Sequence, residues 1–264
     1  MWCGGCATTR PTWTVPANIV LDLNGRSITQ TSTENDVAVI EVPADKSFTL
    51  TDCHTDDNNG GETRTMGSVK HEYANSQSGR GVVVKGNFTL YNGGITTNNC
   101  NINYPPERLY SGAGVYVDGG GSFTMYGGKV AENIAMNGAG VYVNKDGNAA
   151  MYGGKITGNK VGEEDGAGVY VGGGTFDMYG GSISGNNQLG WDYNGHGSGV
   201  YIISGSFNLH DGTITGNNGY WGGGVHLYNG AFNMEGGKIS NNTAGKNGSG
   251  GGVYVYNGTF TMTD

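Results

Sequence analysis

The residues of this chain that are suited to acid–base chemistry lie in two successive loops. Glu163, Glu164 and Asp165 are consecutive, and Asp192 and His196 follow in the next loop. Two carboxylates on either side of a glycosidic bond can hydrolyse it when burial keeps one of them protonated. Nothing in the surrounding sequence provides that burial, and three consecutive acidic residues are more typical of a solvated loop. We therefore predict no catalytic residues, while enzymatic activity stays open.

The sequence gives little support for metal binding or redox chemistry. Cys3 and Cys6 form one Cys-x-x-Cys pair, without a second pair at zinc-binding spacing and without a thioredoxin-like βαβ pattern around it. The other two cysteines, Cys53 and Cys100, fall at different points of the sequence repeat. We predict no metal site and no cofactor.

Aromatic residues are the stronger candidates for binding. A Tyr, or in one case a His, stands in the middle of a recurring Val-x-Val element, where alternation along a strand points it outward. We call this set the aromatic column: Tyr116, Tyr142, Tyr170, Tyr201, His226 and Tyr254. Amphipathic rings at strand spacing suit contacts with sugars or proteins, although such a column can also serve only to stabilise the sheet. The predicted ligand-binding residues are Tyr116, Tyr142, Tyr170, Tyr201, His226, Trp191, Tyr193 and Trp221.

The aromatic column belongs to a repeat that determines the fold. The element Gly-x-Gly-Val-x-Val recurs from Gly112 to Gly250, and an apolar pair such as Phe123 and Met125 follows it. An Ile or Val comes five residues after the pair, and an Asn three residues later. Runs this short pair most economically with their copies one turn further along. The sequence predicts an all-β fold, a right-handed single-stranded parallel β-helix of about nine coils.

The repeat also predicts which side chains face the interior. Val115, Val117, Phe123, Met125 and their equivalents should line the core, while the residues between them face outward. The recurring Asn suits a turn, because Asn tolerates a positive φ and its amide can bond the copies above and below it.

Composition and charge agree with a repetitive β-helical fold. Gly accounts for 53 of 264 residues and Pro for only 5, so the glycines mark turns rather than a collagen-like triplet. The net charge is −8 and no cluster of Lys or Arg occurs, which makes nucleic acid and anionic membranes poor partners. No apolar run is long enough to span a membrane.

The pattern divides the chain simply. We expect an N-terminal segment over residues 1–12 and one β-helix over residues 13–264, with an irregular insertion at about 56–78. The last residues stop partway through a coil without a cap, which predicts a truncated β-helix and a longer parent protein.

Two resemblances follow from these residues. The run from Gly153 to Asn159 is similar to the Gly-Gly-x-Ile and x-x-Asn repeats of polymorphic outer-membrane proteins, and the coils from Leu21 onward resemble adhesin-like cell-surface proteins of gut Firmicutes. Both resemblances imply a pectin-lyase-like β-helix that is secreted or attached to the cell wall. Gly195-His196-Gly197 resembles a polygalacturonase tripeptide, but the other motifs of that family are missing.

These observations predict a non-enzymatic surface module that presents loops and an aromatic strip to glycans or host surface proteins. The alternatives are a fragment of a polysaccharide-active enzyme and a purely structural spacer rod. Ice binding is disfavoured, because the outward positions of the second strand do not form a continuous Thr ladder.

Overall fold

The computed structural model describes residues 7–8, 12–32, 37–53, 66–71, 79–100, 111–162, 165–189 and 195–263. These residues form thirty strands and no helix. In chain order the strands are β1 (Ala7–Thr8), β2 (Trp13–Thr14), β3 (Ile19–Asp22), β4 (Ile28–Gln30), β5 (Ile40–Val42), β6 (Ser47–Thr51), β7 (Ser68–His71), β8 (Val82–Val84), β9 (Asn87–Leu90), β10 (Gly94–Thr96), β11 (Val115–Val117), β12 (Ser122–Met125), β13 (Lys129–Ala131), β14 (Ile134–Ala135), β15 (Val141–Asn144), β16 (Asn148–Met151), β17 (Lys155–Thr157), β18 (Lys160–Val161), β19 (Val169–Met178), β20 (Ser182–Ser184), β21 (Asn187–Gln188), β22 (Val200–Leu209), β23 (Thr213–Thr215), β24 (Asn218–Gly219), β25 (Val225–Leu227), β26 (Ala231–Met234), β27 (Lys238–Ser240), β28 (Thr243–Ala244), β29 (Val253–Val255) and β30 (Thr259–Met262).

Each regular coil repeats the same path. In the coil that starts at Gly112, β11 carries Val-x-Val, β12 the apolar pair, β13 the single apolar residue and β14 a short fourth segment. Every one of these strands pairs in parallel with its copy in the next coil. The predicted parallel β-solenoid is therefore confirmed.

The strands stack into three sheets. One nine-stranded sheet collects the strands that carry the single Ile or Val, and a five-stranded sheet collects the short fourth segments. The 16-stranded sheet holds both the Val-x-Val strands and the apolar-pair strands, because β19 and β22 run without a break through both positions. The apolar-pair strand occurs in nine stacked copies, which corresponds to about eight full turns.

The core is a continuous column of apolar side chains inside the coils. Val115, Val117, Phe123 and Met125 are at most 1% exposed, and their equivalents in the other central coils are buried in the same way. Phe88 stacks on Phe123 with ring centroids 5.3 Å apart. The predicted facing of the strands is confirmed.

Buried asparagines form a second column at the turn after the third strand. Asn98, Asn133, Asn159, Asn186 and Asn217 are all 0% exposed. Each Nδ2 donates to the Oδ1 of the Asn one coil further on, at 2.9–3.0 Å. The amide ladder predicted from the sequence is present.

The conformational reason that we gave for these asparagines is wrong. None of the five buried asparagines has a positive φ; the residue immediately before each of them has one, as at Glu132 (φ 57) and Gly158 (φ 65). The left-handed residue makes the turn, which leaves the Asn amide free to point inward and bond its neighbours.

Glycine is required at the corner between the second and third strands. Gly154 has a φ of 85, and a Cβ there would lie 2.6 Å from the Met125 Cε and 2.8 Å from the Gly128 carbonyl oxygen. The Tyr-Gly-Gly run at residues 152–154 therefore makes a tight corner, with the Tyr side chain on its outer side.

Within the stretch 56–78, the structure describes residues 66–71, and these include a regular strand that the sequence analysis did not anticipate. Ser68–His71 lies in the nine-stranded sheet between β4 and β10, and Val69 supplies the buried apolar residue. The Asp52 carboxylate accepts hydrogen bonds from the backbone N–H groups of Gly25 (2.7 Å) and Gly67 (2.6 Å). This buried carboxylate joins the coil before the stretch to the point where the chain re-enters the sheet.

The N-terminal segment contributes to the same solenoid, since Ala7–Thr8 pairs with Thr29 and Gln30. Cys3 and Cys6 lie outside the described residues. Over the part of the chain that the structure describes, no helix has the length and apolarity needed to cross a membrane.

Candidate binding surface

The aromatic column forms in the predicted register. Tyr116, Tyr142, Tyr170 and Tyr201 pair in sequence across adjacent coils, followed by His226 and Tyr254. The first three rings are stacked, with centroids 5.2 and 4.7 Å apart and planes within 14°. Arg80 lies over the ring of Tyr116, with its guanidinium carbon 4.7 Å from the centroid.

The column is more buried than the sequence analysis expected. Tyr116, Tyr142 and Tyr254 are half-buried, whereas Tyr170, Tyr201 and His226 are only 8%, 4% and 2% exposed. Burial raises the pKa of the Tyr142 phenol, and burial together with the nearby Asp165 carboxylate raises that of Tyr201. Tyr170, Tyr201 and His226 therefore offer little contact area to a ligand unless the segments covering them move.

A second row of residues lies beside the column, and each of its members immediately precedes a Gly-x-Gly element. The members of this row are Asn137, Asp165, His196 and Trp221. They are equivalent in successive coils: the Gly that follows one member donates its backbone N–H to the carbonyl of the member in the next coil. Trp221 forms a parallel bridge with His196, and its ring centroid lies 5.1 Å from that of Tyr254. The structure thus brings Trp221 to the column as predicted, whereas Trp191 and Tyr193 lie outside the described residues.

Asp165 and His196 are in direct contact, whereas the sequence analysis only placed them in two successive loops. The Asp165 Oδ1 lies 2.7 Å from the His196 Nδ1 and also accepts the His196 backbone N–H at 2.8 Å. Their side chains are 15% and 31% exposed. Glu163, Glu164 and Asp192 lie outside the described residues.

The regular stacking of the column ends beside this pair. Tyr170 and Tyr201 are tilted by 46°, and Tyr201 meets His226 edge to face with centroids 5.1 Å apart. His196 also meets His226 edge to face, at 4.7 Å. In this irregular cluster His226 stands where the other members of the aromatic column are Tyr.

The most exposed aromatic row is one that the sequence analysis missed. We call it the tyrosine ladder: Tyr91, Tyr126, Tyr152, Tyr179 and His210. The four tyrosines are 52%, 46%, 48% and 42% exposed. Each residue directly follows the second member of the apolar pair, so alternation along the strand points it outward. The recurring Met-Tyr-Gly-Gly at residues 125–128 and 151–154 was the available signal.

The rungs of the tyrosine ladder are closely stacked. Successive ring centroids are 4.9, 5.0, 4.8 and 4.4 Å apart, with planes within 14° of parallel. Inner rings therefore cover the faces of their neighbours and present ring edges and hydroxyl groups to solvent. The Asp177 carboxylate raises the pKa of the Tyr179 phenol.

His210 completes the ladder under the influence of two carboxylates. Its Nδ1 lies 2.7 Å from the Glu235 Oε2, and its Nε2 lies 3.8 Å from the Asp177 Oδ1. The Asp177 Oδ1 also accepts the Asn208 amide at 2.7 Å. Among the described residues, no group of three His, Cys, Asp or Glu side chains is arranged to hold a metal ion.

Comparison with known proteins identifies the fold family. A family model described as a right-handed beta helix region matches residues 80–263, which include every rung and the whole aromatic column. Neither a search of curated proteins nor a search of solved structures found a match. The matched region agrees with the parallel ladders of the structure, so the chain belongs to the right-handed β-helix family.

Proposed function

We propose that this protein is a non-enzymatic binding module that holds an extended, neutral glycan along the tyrosine ladder. The observation that carries the proposal is the exposure of four stacked tyrosines in one straight row, each 42–52% exposed. Phenol hydroxyls both donate and accept hydrogen bonds, and a sugar chain presents hydroxyl groups of the same kind. The ring edges between them provide apolar contact.

The spacing of the rungs favours a sugar chain over a peptide. Rungs recur every 4.4–5.0 Å. One face of an extended peptide recurs about every 6.6 Å, because it rises about 3.3 Å per residue and alternates. Such a peptide loses register with the ladder after a single rung. A sugar chain carries hydroxyl groups on every residue, so its hydrogen bonds to the phenols do not depend on one alternating face.

Charge favours a neutral ligand. The chain has a net charge of −8, which repels a polyanion over long range. Display outside the cell, towards glycans of a host surface, forms part of the proposal, and the fold family supports it.

The test removes three central rungs together. The triple variant Tyr126→Ser, Tyr152→Ser and Tyr179→Ser should bind soluble neutral polysaccharides at least about tenfold more weakly, since aromatic anchors dominate such contacts. Affinity electrophoresis against a panel of neutral and acidic polysaccharides measures this. Added salt should change the affinity little, and the affinity for oligosaccharides should rise with length up to about five residues.

The matched control is the pair Tyr228 and Tyr256, which are 42% and 64% exposed and are not part of the ladder. Their two rings stack on each other with centroids 5.0 Å apart. Replacing both with Ser should leave binding unchanged. If the parent protein retains none of the polysaccharides, or if the control pair weakens binding as much as the triple variant, the ladder is a structural feature and the spacer interpretation replaces the proposal.

A second candidate function rests on the contact between Asp165 and His196. A carboxylate that holds a half-exposed imidazole at 2.7 Å is an arrangement suited to general acid–base catalysis. Under this alternative the protein depolymerises a polysaccharide, and His196→Ala abolishes the activity. Release of reducing ends from the same panel, measured for the parent and for His196→Ala, distinguishes the two functions.

A further inference from the structure

His226 is a buried imidazole whose ring nitrogens have no partner at full hydrogen-bonding geometry among the described residues. It is 2% exposed, and in the described structure neither Nδ1 nor Nε2 meets hydrogen-bonding geometry with any group, although the Trp221 backbone approaches the ring. Leaving two buried polar atoms unpaired is unfavourable. The other positions of the aromatic column all hold Tyr, so the repeat itself provides a residue that avoids this cost.

The groups around His226 do not supply an acceptor for a second proton. Edge-to-face contacts join it to His196 at 4.7 Å, Tyr201 at 5.1 Å and Tyr254 at 4.9 Å, and Tyr228 lies at 6.4 Å. Among the described residues, these four titratable side chains have rings in contact with the His226 ring. Asp165 reaches the cluster both through His196, whose Nδ1 and backbone N–H it already binds, and through the side chain of Tyr201.

We infer that His226 is an acid-sensitive latch. Uptake of a proton from solvent by this imidazole opens the cover formed by residues 195–197 and 221–222, and the opening exposes the buried rings of the aromatic column. The device is independent of glycan binding at the tyrosine ladder. It makes Tyr201 accessible in acid and hides it at neutral pH.

The direction follows from the protonated ring. An imidazolium carries two N–H donors, and burial without an acceptor disfavours it strongly. Desolvation, with repulsion from a protonated His196, lowers the pKa of His226 from 6.5 to about 3. Once opened, the ring regains its ordinary affinity for protons. Between pH 6.5 and pH 3 the opened state therefore binds more protons, so opening becomes more favourable as the pH falls.

Native-state hydrogen exchange measures this opening directly. From pH 7.5 to pH 4.5 the opening constant of the amides in residues 197–202 and 222–227 should rise about 100-fold, because one proton is taken up over about two pH units below 6.5. The amides of residues 139–144, in an ordinary coil, should not change in this way. Dilute samples are needed, since the isoelectric point is about 5.0.

The matched variant is His226→Tyr, which restores the residue of the repeat. It should remove the pH-dependent rise, and exchange at pH 7.5 should be no faster than in the parent, because the unpaired imidazole is gone. An equal rise in the parent and in the variant overturns the inference. If the variant does not fold, the parent alone decides: the His226 ring protons should keep their neutral chemical shift down to pH 4.5, and a titration midpoint near 6.5 in the folded protein contradicts the latch.

Discussion

Val141→Asp is expected to abolish cooperative folding. Val141 is 0% exposed and pairs with Val115 and Val169 in the coils on either side. A carboxylate at this site meets only apolar neighbours, and burying an unpaired charge costs many kcal/mol. Because the whole stability of a domain is about 5–15 kcal/mol, the variant should be insoluble, or should show no sigmoidal thermal transition by far-UV circular dichroism.

The control for Val141→Asp is the adjacent residue. Tyr142 is half-buried and stacks between Tyr116 and Tyr170 at 5.2 and 4.7 Å. Tyr142→Ser should lose about 1–3 kcal/mol of stability, because two ring contacts disappear without burial of a charge. A folded protein with a lower Tm is the expected outcome. Equal losses in the two variants contradict the inward and outward facing of this strand.

Asn186→Ala should lower the free energy of unfolding by about 4–6 kcal/mol, since each buried polar group left unpaired costs about 1–3 kcal/mol. The Asn186 Oδ1 accepts the backbone N–H and the Nδ2 of Asn159, both at 3.0 Å. Its own Nδ2 donates to the Ile156 carbonyl and to the Asn217 Oδ1. Urea unfolding at fixed pH measures the change.

The comparison for Asn186 is Asn148, which is exposed on the edge of β16. Asn148→Ala should change stability by no more than about 0.5 kcal/mol, as surface substitutions usually do. An Asn186→Ala variant as stable as Asn148→Ala would falsify the view that the amide ladder stabilises the coils.

The path of the coils was predictable because the spacing between the apolar pair, the single apolar residue and the Asn is constant along the repeat. The offset from Met151 to Ile156 and Asn159 recurs in coil after coil, and strand alternation then decides which side chains enter the core. The buried amide ladder followed from the same spacing. The positive φ one residue earlier did not, because the sequence places Glu or Thr as well as Gly there.

The binding surface was harder to predict, because exposure depends on what lies over a side chain. Tyr201 and Tyr152 both occupy outward positions of a strand, yet one is 4% and the other 48% exposed. The difference arises from the backbone before each Gly-x-Gly, which folds beside the first strand and leaves the corner uncovered. The contact between Asp165 and His196 was hidden for a related reason: the two residues are 31 positions apart and meet only when the coils stack.

The Asn column and the sheets have a consequence for the evolution of the chain. Each coil bonds its two neighbours through equivalent atoms, as when Asn159 donates to Asn186 and Asn186 donates to Asn217. Duplication or deletion of a gene segment that encodes one whole coil therefore leaves the coils on either side joined at equivalent positions of the repeat. Each added unit lengthens the molecule by about 4.8 Å and offers the same backbone and Asn partners to the coils on either side. Recombination can change the reach of such a protein in single-coil steps, while selection acts separately on the side chains of each copy.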